Sequence, residues 1–356
     1  MFNRNYLTLS VLLAICSSAL FAAPTTGSAS NSEATPSQYA IVNTFHVEGE
    51  GGWDYITMDD SSGRLFVSHA TVVNVLEAKT GKLLGTIPDT QGVHGISVAT
   101  DLKKGFTSNG KADSVTVFDI ESLKTLGTVQ VSGKNPDAIL YDPISHNVFT
   151  FNGKTSNATV IDAKEQKVIA TIALDGKPEF PTTNGKGIIY VNIEDKNEIQ
   201  VIDTKTLKVT ATWSIAPNEE PSGMAIDIEN GRLFSVCGNK VMTVVDTQSG
   251  KVITTLPIGE HADGAAFDPG LKRAYSSNGD GTLTVIQEVD KDTFKVLENF
   301  PTIKGARTIG LSAATHHTYL PTAEFGPAPA PTTDHPKQRP SIKPGTFKIL
   351  DIAPKN

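Results

Sequence analysis

The sequence is built on a unit of about 42 residues that recurs seven times, and this recurrence limits the fold more than any other feature. Each unit contains an aromatic residue within a short apolar run, as in RLFVS, NVFTF and RAYSS. Successive aromatics are 40, 43, 41, 44, 41 and 44 residues apart. They are Phe66, Phe106, Phe149, Tyr190, Phe234, Tyr275 and Tyr319. Such a period indicates a ring or stack of similar units rather than two unrelated domains.

Two further landmarks divide each unit into four short segments. A β-branched run ending in an acid or its amide analogue follows the aromatic, and a Thr-plus-apolar pair follows that run in most units. The run-ending residues are Glu77, Asp119, Asp162, Asp203, Asp246, Gln287 and Asp351. Segments rich in Val, Ile, Thr and aromatics suit a pleated, half-buried surface. We therefore predict an all-β chain, a seven-bladed β-propeller with four-stranded antiparallel blades.

The ring is predicted to close with a strand from the N-terminal side. The last unit lacks its fourth strand, because the chain ends five residues after Asp351. Asn43-Thr44-Phe45 has the missing pattern and precedes a Gly-rich turn. Residues 39–47 should therefore pair with the final blade, which then has three C-terminal strands and one N-terminal strand. An open ring would instead leave unpaired strand edges.

Segments outside the repeats have compositions of their own. Residues 1–22 have a basic start, an apolar stretch and small residues at the end, so they are predicted to be a signal peptide cleaved after Ala22. This stretch is too short for a membrane span. Residues 23–38 are predicted to be a flexible leader, and 39–353 the propeller. The expected location is periplasmic or secreted.

The seventh unit carries a Pro-rich insertion at residues 322–345 (TAEFGPAPAPTTDHPKQRPSIKPG). Proline cannot donate to a strand ladder, so this stretch is predicted to be an irregular loop between the second and third strands of blade seven. In a propeller, such loops lie on the same face as the loops that enter each first strand. The insertion is therefore expected to hang over one mouth of the central channel.

The repeated segments RLFVS…VLEAKTGKLLGTI and GKNPDAILYDP…VFTFN…ATVIDAKEQKVIATI resemble the Tyr-Val-Thr-Asn (YVTN) repeat propellers, which include bacterial periplasmic YncE-like proteins. The resemblance covers residues 39–353 and implies a seven-bladed propeller outside the cytoplasm. The chain departs from the literal motif, for example at Ser68-His69. Propellers host binding proteins, lyases, lactonases and dehydrogenase subunits alike, so the resemblance implies no particular reaction.

Charge narrows the range of partners. The net charge is −7 and no Lys/Arg run stands out. Nucleic-acid binding needs a basic footprint, so we expect no such partner. A small molecule or a protein remains the expected partner, and we expect a monomer.

The residues that enter each first strand should line the mouth of the channel. Aligned by repeat, they are Asp54, His94, Asp137, Glu179, Ser222, Asp263 and Arg307. Four acids, a histidine and an arginine would then converge on a narrow space. Crowded carboxylates repel one another and burial raises their pKa, so a compensating arginine, bound cation or water is expected.

A second set of positions follows each aromatic by three residues. Asn109, Asn152 and Asn278 at these positions are predicted to bond local backbone in turns, whereas blade one has His69. We expect His69 near the mouth, with His261 in a neighbouring loop and Glu324 at the root of the insertion.

Three interpretations of these residues stay open at the sequence level. They form a set of mutually paired loop ends, a site for a polar ligand or divalent metal ion that uses His69, His94 and His261 with the acids, or a catalytic cluster. The catalytic alternative is a lactonase-like hydrolase or lyase. Apart from ligand binding and catalysis, the protein could function as a protein-interaction scaffold that uses the outer strand edges or the Pro-rich loop. No motif identifies a reaction.

Overall fold

Seven four-stranded antiparallel sheets account for the part of the chain that the structure describes, and the predicted seven-bladed propeller is confirmed. The structure is a computed structural model and describes residues 37–329 and 340–355. The strands in chain order are β1 (Tyr39–His46), β2 (Ile56–Asp59), β3 (Arg64–His69), β4 (Val72–Glu77), β5 (Leu83–Ile87), β6 (Val93–Ala99), β7 (Lys104–Asn109), β8 (Ser114–Asp119), β9 (Thr125–Gln130), β10 (Pro136–Asp142), β11 (Asn147–Asn152), β12 (Asn157–Asp162), β13 (Lys167–Ala173), β14 (Pro178–Thr183), β15 (Ile188–Ile193), β16 (Glu198–Asp203), β17 (Lys208–Ser214), β18 (Pro221–Asp227), β19 (Arg232–Cys237), β20 (Val241–Asp246), β21 (Val252–Pro257), β22 (Ala262–Asp268), β23 (Arg273–Asn278), β24 (Thr282–Asp290), β25 (Thr293–Pro301), β26 (Gly310–Leu311), β27 (Thr318–Thr322) and β28 (Lys348–Pro354). Two short 3-10 turns, Thr100–Leu102 and Glu194–Lys196, follow β6 and β15.

Blade seven closes the ring as the sequence predicts. Its strand order is β1-β28-β27-β26, so the N-terminal strand is its outermost member. In this pairing Phe45 lies opposite Ile349. Asn43 also donates a side-chain hydrogen bond of 2.9 Å to Asp351, which is buried. Backbone pairing and a side-chain contact thus join the two ends of the propeller.

The hydrophobic core lies between blades. All seven landmark aromatics of the sequence are buried. Phe66 of blade one, for example, packs against Phe118 of blade two with ring centroids 5.9 Å apart. Because each sheet buries both faces against its neighbours, the blades stabilise one another as units of a closed repeat.

The acid landmarks mark the hairpin turns between third and fourth strands. Asp246 accepts the backbone N–H of Ser249 at 2.8 Å, and Asp203 accepts that of Thr206 at 2.7 Å. Such bonds from an aspartate two or three residues upstream favour a tight turn. Gln287 stands at this position in blade six, where β24 and β25 are longer and turn at Asp290–Thr293 instead.

The insertion of blade seven begins after Thr322 and returns to the sheet at Lys348. Its described ends touch each other through a bridge between Phe325 and Ile342. Trp53, at the entrance to the first strand of blade one, stacks on Phe347 at 5.2 Å. These ends therefore lie on the face where the chain enters the first strands.

Parts of the sequence predictions fall outside the described residues. These are the signal peptide, nearly all of the leader and the middle of the insertion, residues 330–339. In the described ranges, no helix has the length and hydropathy that crossing a membrane would require.

Ring closure can be tested with Phe45→Ala. Phe45 is buried with Trp53, Phe347 and Ile349, so the truncation should lower the free energy of unfolding by about 3–5 kcal/mol. Val42→Ala on the same strand is the control, because Val42 is 47% exposed and its change should stay within about 0.5 kcal/mol. Denaturant unfolding measures both. Equal effects of the two substitutions would contradict the predicted role of this strand.

Candidate functional site

Irregular strand entries place the mouth residues at the axis of the ring. In five blades the pairing of the first strand with the second shifts register around the mouth residue, as between Val93 and Ile96 or between Pro136 and Ile139. A bulge of this kind bends the strand and redirects a side chain. Asp54 and Arg307 instead lie just before the first strands of their blades.

Small residues next to the mouth positions let the first strands approach one another. A side chain at Gly95 would place its Cβ 2.9 Å from Ile139 of the next blade. At Gly223 the Cβ would lie 2.6 Å from the carbonyl oxygen of Asp263. Glycine is required there because two backbones come so close.

Asp54 is the centre of the charge contacts at the mouth. One carboxylate oxygen lies 2.6 Å from Nδ1 of His94, and the other lies 3.4 Å from the guanidinium of Arg307. Burial favours the neutral acid, but the His94 hydrogen bond and the Arg307 charge outweigh it and hold the pKa of Asp54 below its usual value. Asp54 therefore stays ionised.

On one side of Asp54 the contacts continue to Asp263. Arg307 forms an ion pair with Asp263 as well as with Asp54. Ser222 donates its hydroxyl to Asp263 at 2.7 Å. Arg307, Asp263 and Ser222 thus each have a polar partner, and the Arg307 guanidinium is held between two carboxylates.

On the other side of Asp54, His94 links to Asp137. The distance from its Nδ1 to the nearer Asp137 oxygen is 3.6 Å. Burial would lower the pKa of His94, but the hydrogen bond to Asp54 and the charges of Asp137 and Asp54 raise it overall. Among the residues in the structure, His94 is the only ion-pair partner of Asp137 within 4 Å.

Glu179 extends the chain of acids beyond Asp137. It contacts Lys177 at 2.5 Å, and Lys177 also pairs with Glu194. Burial and the neighbouring Asp137 raise the pKa of Glu179 to about 8. Burial likewise raises the pKa of Asp137 to about 6, and the His94 charge only partly offsets it. At pH 7 Glu179 is therefore mostly protonated, whereas Asp137 is mostly ionised.

Two aromatic side chains meet across the channel next to the polar ring. Tyr55 of blade one and Phe180 of blade four have ring centroids 5.4 Å apart. They line a cavity of only about 50 Å³ together with Ile96, Ala138 and other first-strand residues. Burial and the carboxylates, Asp137 first, raise the pKa of Tyr55 well above its usual value, so its phenol stays protonated.

Asp54, His94 and Asp137 have the arrangement of a metal-binding set. One ligand atom of each lies within 4.8 Å of the others, and no other group of three His, Cys, Asp or Glu residues in the described ranges does so. An imidazole with two carboxylates suits a divalent transition metal. Metal–ligand bonds of about 2.1 Å separate two ligand atoms by roughly 3.0–3.4 Å, so the His94–Asp54 contact would have to open by roughly 0.4–0.8 Å.

The structure does not bring the other two predicted histidines into this set. His69 is buried in blade one, where its ring packs against Phe347 in a tilted arrangement with centroids 4.4 Å apart, and burial lowers its pKa. Among the described residues, His69 is not part of the group formed by Asp54, His94 and Asp137, because its ring packs into the interior of blade one. His261 is exposed in a turn before β22. The metal set predicted from three histidines therefore reduces to His94 with carboxylates.

Glu324 lies at the root of the insertion, as expected, whereas the asparagines differ from expectation. Glu324 is exposed and pairs with Lys343 at 3.2 Å across the insertion root. Asn109 is buried and donates to the side chains of Ser114 and Thr116 in the next strand, at 3.2 and 2.9 Å. The bonds of this asparagine thus join two strands rather than capping a turn.

Sequence reasoning missed Lys177, Glu194 and Tyr55. Lys177 precedes Glu179 by two residues, and Tyr55 follows Asp54, so inspecting the neighbours of each mouth residue would have found both. Glu194 has no comparable signal, because it lies in the 3-10 turn after β15 and reaches the site only through the fold.

The central contact can be tested by titrating His94. Asp54→Asn removes the carboxylate that stabilises the imidazolium, so the pKa of His94, raised in the wild type, should fall. NMR of the imidazole signals measures it, and the signal missing in His94→Gln gives the assignment. Glu324→Gln is the control and should change nothing at His94. A His94 pKa that is equal in the wild type and Asp54→Asn would refute the contact.

Comparisons with known proteins support the fold alone. No family model matches the chain, and no curated protein matches it, so the resemblance to the YVTN-repeat propellers is not confirmed. A chain of Kuenenia stuttgartiensis hydrazine synthase is 19% identical with a TM-score of 0.66, covering 77% of this chain and 94% of that one. The WD40 repeats of RRP9 are 8% identical with a TM-score of 0.73, covering 89% and 99%. A chain of the mitotic checkpoint complex is 12% identical with a TM-score of 0.72, covering 97% and 100%. The chain thus has a β-propeller fold, which is compatible with a ligand-binding, partner-binding or scaffold role.

Proposed function

We propose that this propeller is a binding protein that takes a divalent metal ion at the mouth of its central channel. The observation that carries the proposal is the convergence of Asp54, His94 and Asp137 within 4.8 Å. In the proposed site His94 Nδ1 and one oxygen of each aspartate are the ligands. Glu179 stands next to Asp137 and completes the acidic side of the site.

The charge balance of the mouth supports a cationic ligand. Five carboxyls, those of Asp54, Asp137, Glu179, Glu194 and Asp263, are opposed by two permanent cations, Arg307 and Lys177. Burial, with the neighbouring carboxylates as a further cause, raises the pKa values of Asp137 and Glu179. A divalent ion would replace the protons held there and relieve the repulsion between the carboxylates.

The shape of the channel supports entry from one side. Tyr55 and Phe180 meet next to the ring and leave a cavity of only about 50 Å³. The ligand therefore enters from the face that carries the strand entries and the root of the insertion. Trp53 and Phe347 flank this face and support the backbone before Asp54.

Export belongs to the same proposal. It rests on the signal-peptide pattern of residues 1–22, which lie outside the described residues. A periplasmic or secreted protein would bind its metal ion outside the cytoplasm. We also propose that the protein is a monomer.

A hydrolase of the lactonase-like type is the second candidate function. The observation that favours it is a pair of adjacent carboxyls with pKa values of about 6 and about 8 beside an imidazole. Groups that titrate near neutral pH suit general acid–base catalysis, and Arg307 could hold an anionic part of the substrate. Turnover of a simple γ-lactone or chromogenic ester that Asp137→Asn abolishes would favour this candidate, whereas metal binding without turnover would exclude such hydrolysis.

Metal binding is tested by isothermal titration calorimetry with Zn²⁺ and Mn²⁺. Asp137→Asn should weaken binding by about tenfold or more, because one charged ligand is lost. Affinity should rise between about pH 5 and 8, since the ligands Asp137 and His94 have raised pKa values and must release their protons before the ion can bind.

The matched control is Glu324→Gln, which removes a carboxylate on the same face but outside the proposed ligand set. Its affinity should equal that of the wild type. The proposal fails if neither metal binds, or if Asp137→Asn binds as tightly as the wild type.

A further inference from the structure

A second cavity lies at the seam where the ring closes, at the other end of the blades from the mouth. It has a volume of about 490 Å³ and is lined by Gln38, Leu271, Arg273, His316, Pro354 and Lys355. Leu271 follows the end of β22, whereas the mouth residue Asp263 lies near its start. The cavity is therefore separate from the proposed metal site.

Arg273 lines this cavity, and its described partners are uncharged. Its guanidinium donates to the phenol of Tyr39 at 2.7 Å and to the amide oxygens of Gln38 and Gln287 at 3.3 Å each. Burial raises the pKa of Tyr39, so this phenol supplies no negative charge. A guanidinium has five N–H donors, and three of them have partners here.

The repeat provides an internal comparison for this arginine. Arg232 occupies the same position in blade five, opposite Asp246 in the strand register, and pairs with Asp246 at 2.6 Å and Asp292 at 2.7 Å. Arg273 lies opposite Gln287 instead. Blade six thus keeps the arginine but has an amide where blade five has the carboxylate that neutralises it.

The acids around the cavity are engaged with other groups. Asp268 is buried, contacts His316 Nδ1 at 2.7 Å and accepts the backbone N–H groups of Gly270 and Leu271. Glu298 accepts the backbone N–H of Gln38 at 3.0 Å. Neither forms an ion pair with Arg273 within 4 Å, and Lys355 adds a second cationic side chain to the lining.

We propose that the seam cavity binds an oxyanion, a phosphate or carboxylate group, on Arg273. The two remaining N–H donors of the guanidinium form a fork that matches two anion oxygens, and Lys355 adds charge. In blade six, such an anion would pair with Arg273 as the Asp246 carboxylate pairs with Arg232 in blade five. Because the cavity is lined by both terminal strands of the ring, bound anion would also stabilise the closure.

The test is calorimetric titration of the full chain with inorganic phosphate and, separately, acetate at low ionic strength. At least one anion should bind with a 1:1 ratio, and the stronger of the two identifies the oxyanion class. Arg273→Gln should weaken that binding by about tenfold or more. Gln287→Asp should weaken it similarly, because the new carboxylate pairs with Arg273 as Asp246 pairs with Arg232.

Gln287→Asp adds an internal ion pair and should therefore fold like the wild type. It still tests the role of Arg273 if Arg273→Gln is poorly folded. Arg64→Gln is the control, because Arg64 has the same repeat position in blade one and donates to the backbone carbonyl oxygen of Ile120. Arg64→Gln and Asp137→Asn should both bind the anion like the wild type, which separates this site from the mouth. Absence of binding by either anion, or unchanged binding in Gln287→Asp, would overturn the proposal.

Discussion

The pairing of β1 with β28 is the constraint on which the rest of the molecule depends. Each blade buries both faces against its neighbours, so a ring with one blade incomplete would expose core on two sides. The N-terminal strand supplies the missing edge, and Asn43 bonds the buried Asp351, which His317 also contacts at 2.6 Å. This carboxylate serves the closure, whereas its counterparts in other blades cap hairpin turns.

Closure of the ring also brings several acidic side chains close together at the mouth of the channel. Seven first strands must converge on one axis, and small residues such as Gly95 and Gly223 allow that approach. The side chains at their entrances are then forced into contact. The charge of Asp54 is paired with His94 and Arg307, but Asp137 and Glu179 lie beside each other in a mostly buried position. Burial and the neighbouring carboxylates together raise the pKa values of both groups.

Much of this architecture could be predicted by counting. The repeated aromatics and acids gave the blade number, the Asn43-Thr44-Phe45 pattern gave the closing strand, and alignment of the repeats gave the residues at each strand entry. All three depend on local pattern and on period. The buried position of His69 could not be predicted from the sequence. Its ring packs against Phe347, which follows an insertion whose path the repeat pattern does not define. The contact of Tyr55 with Phe180 joins blades one and four across the axis, and no local signal reports such a pairing.

The most direct test of the metal site is a crystal structure of the protein soaked with Mn²⁺, with data collected for anomalous scattering. We expect an anomalous peak at the mouth, about 2.1–2.3 Å from His94 Nδ1 and from one oxygen each of Asp54 and Asp137. A mouth without anomalous density, with the ring of ion pairs around Asp54 unchanged, would contradict it.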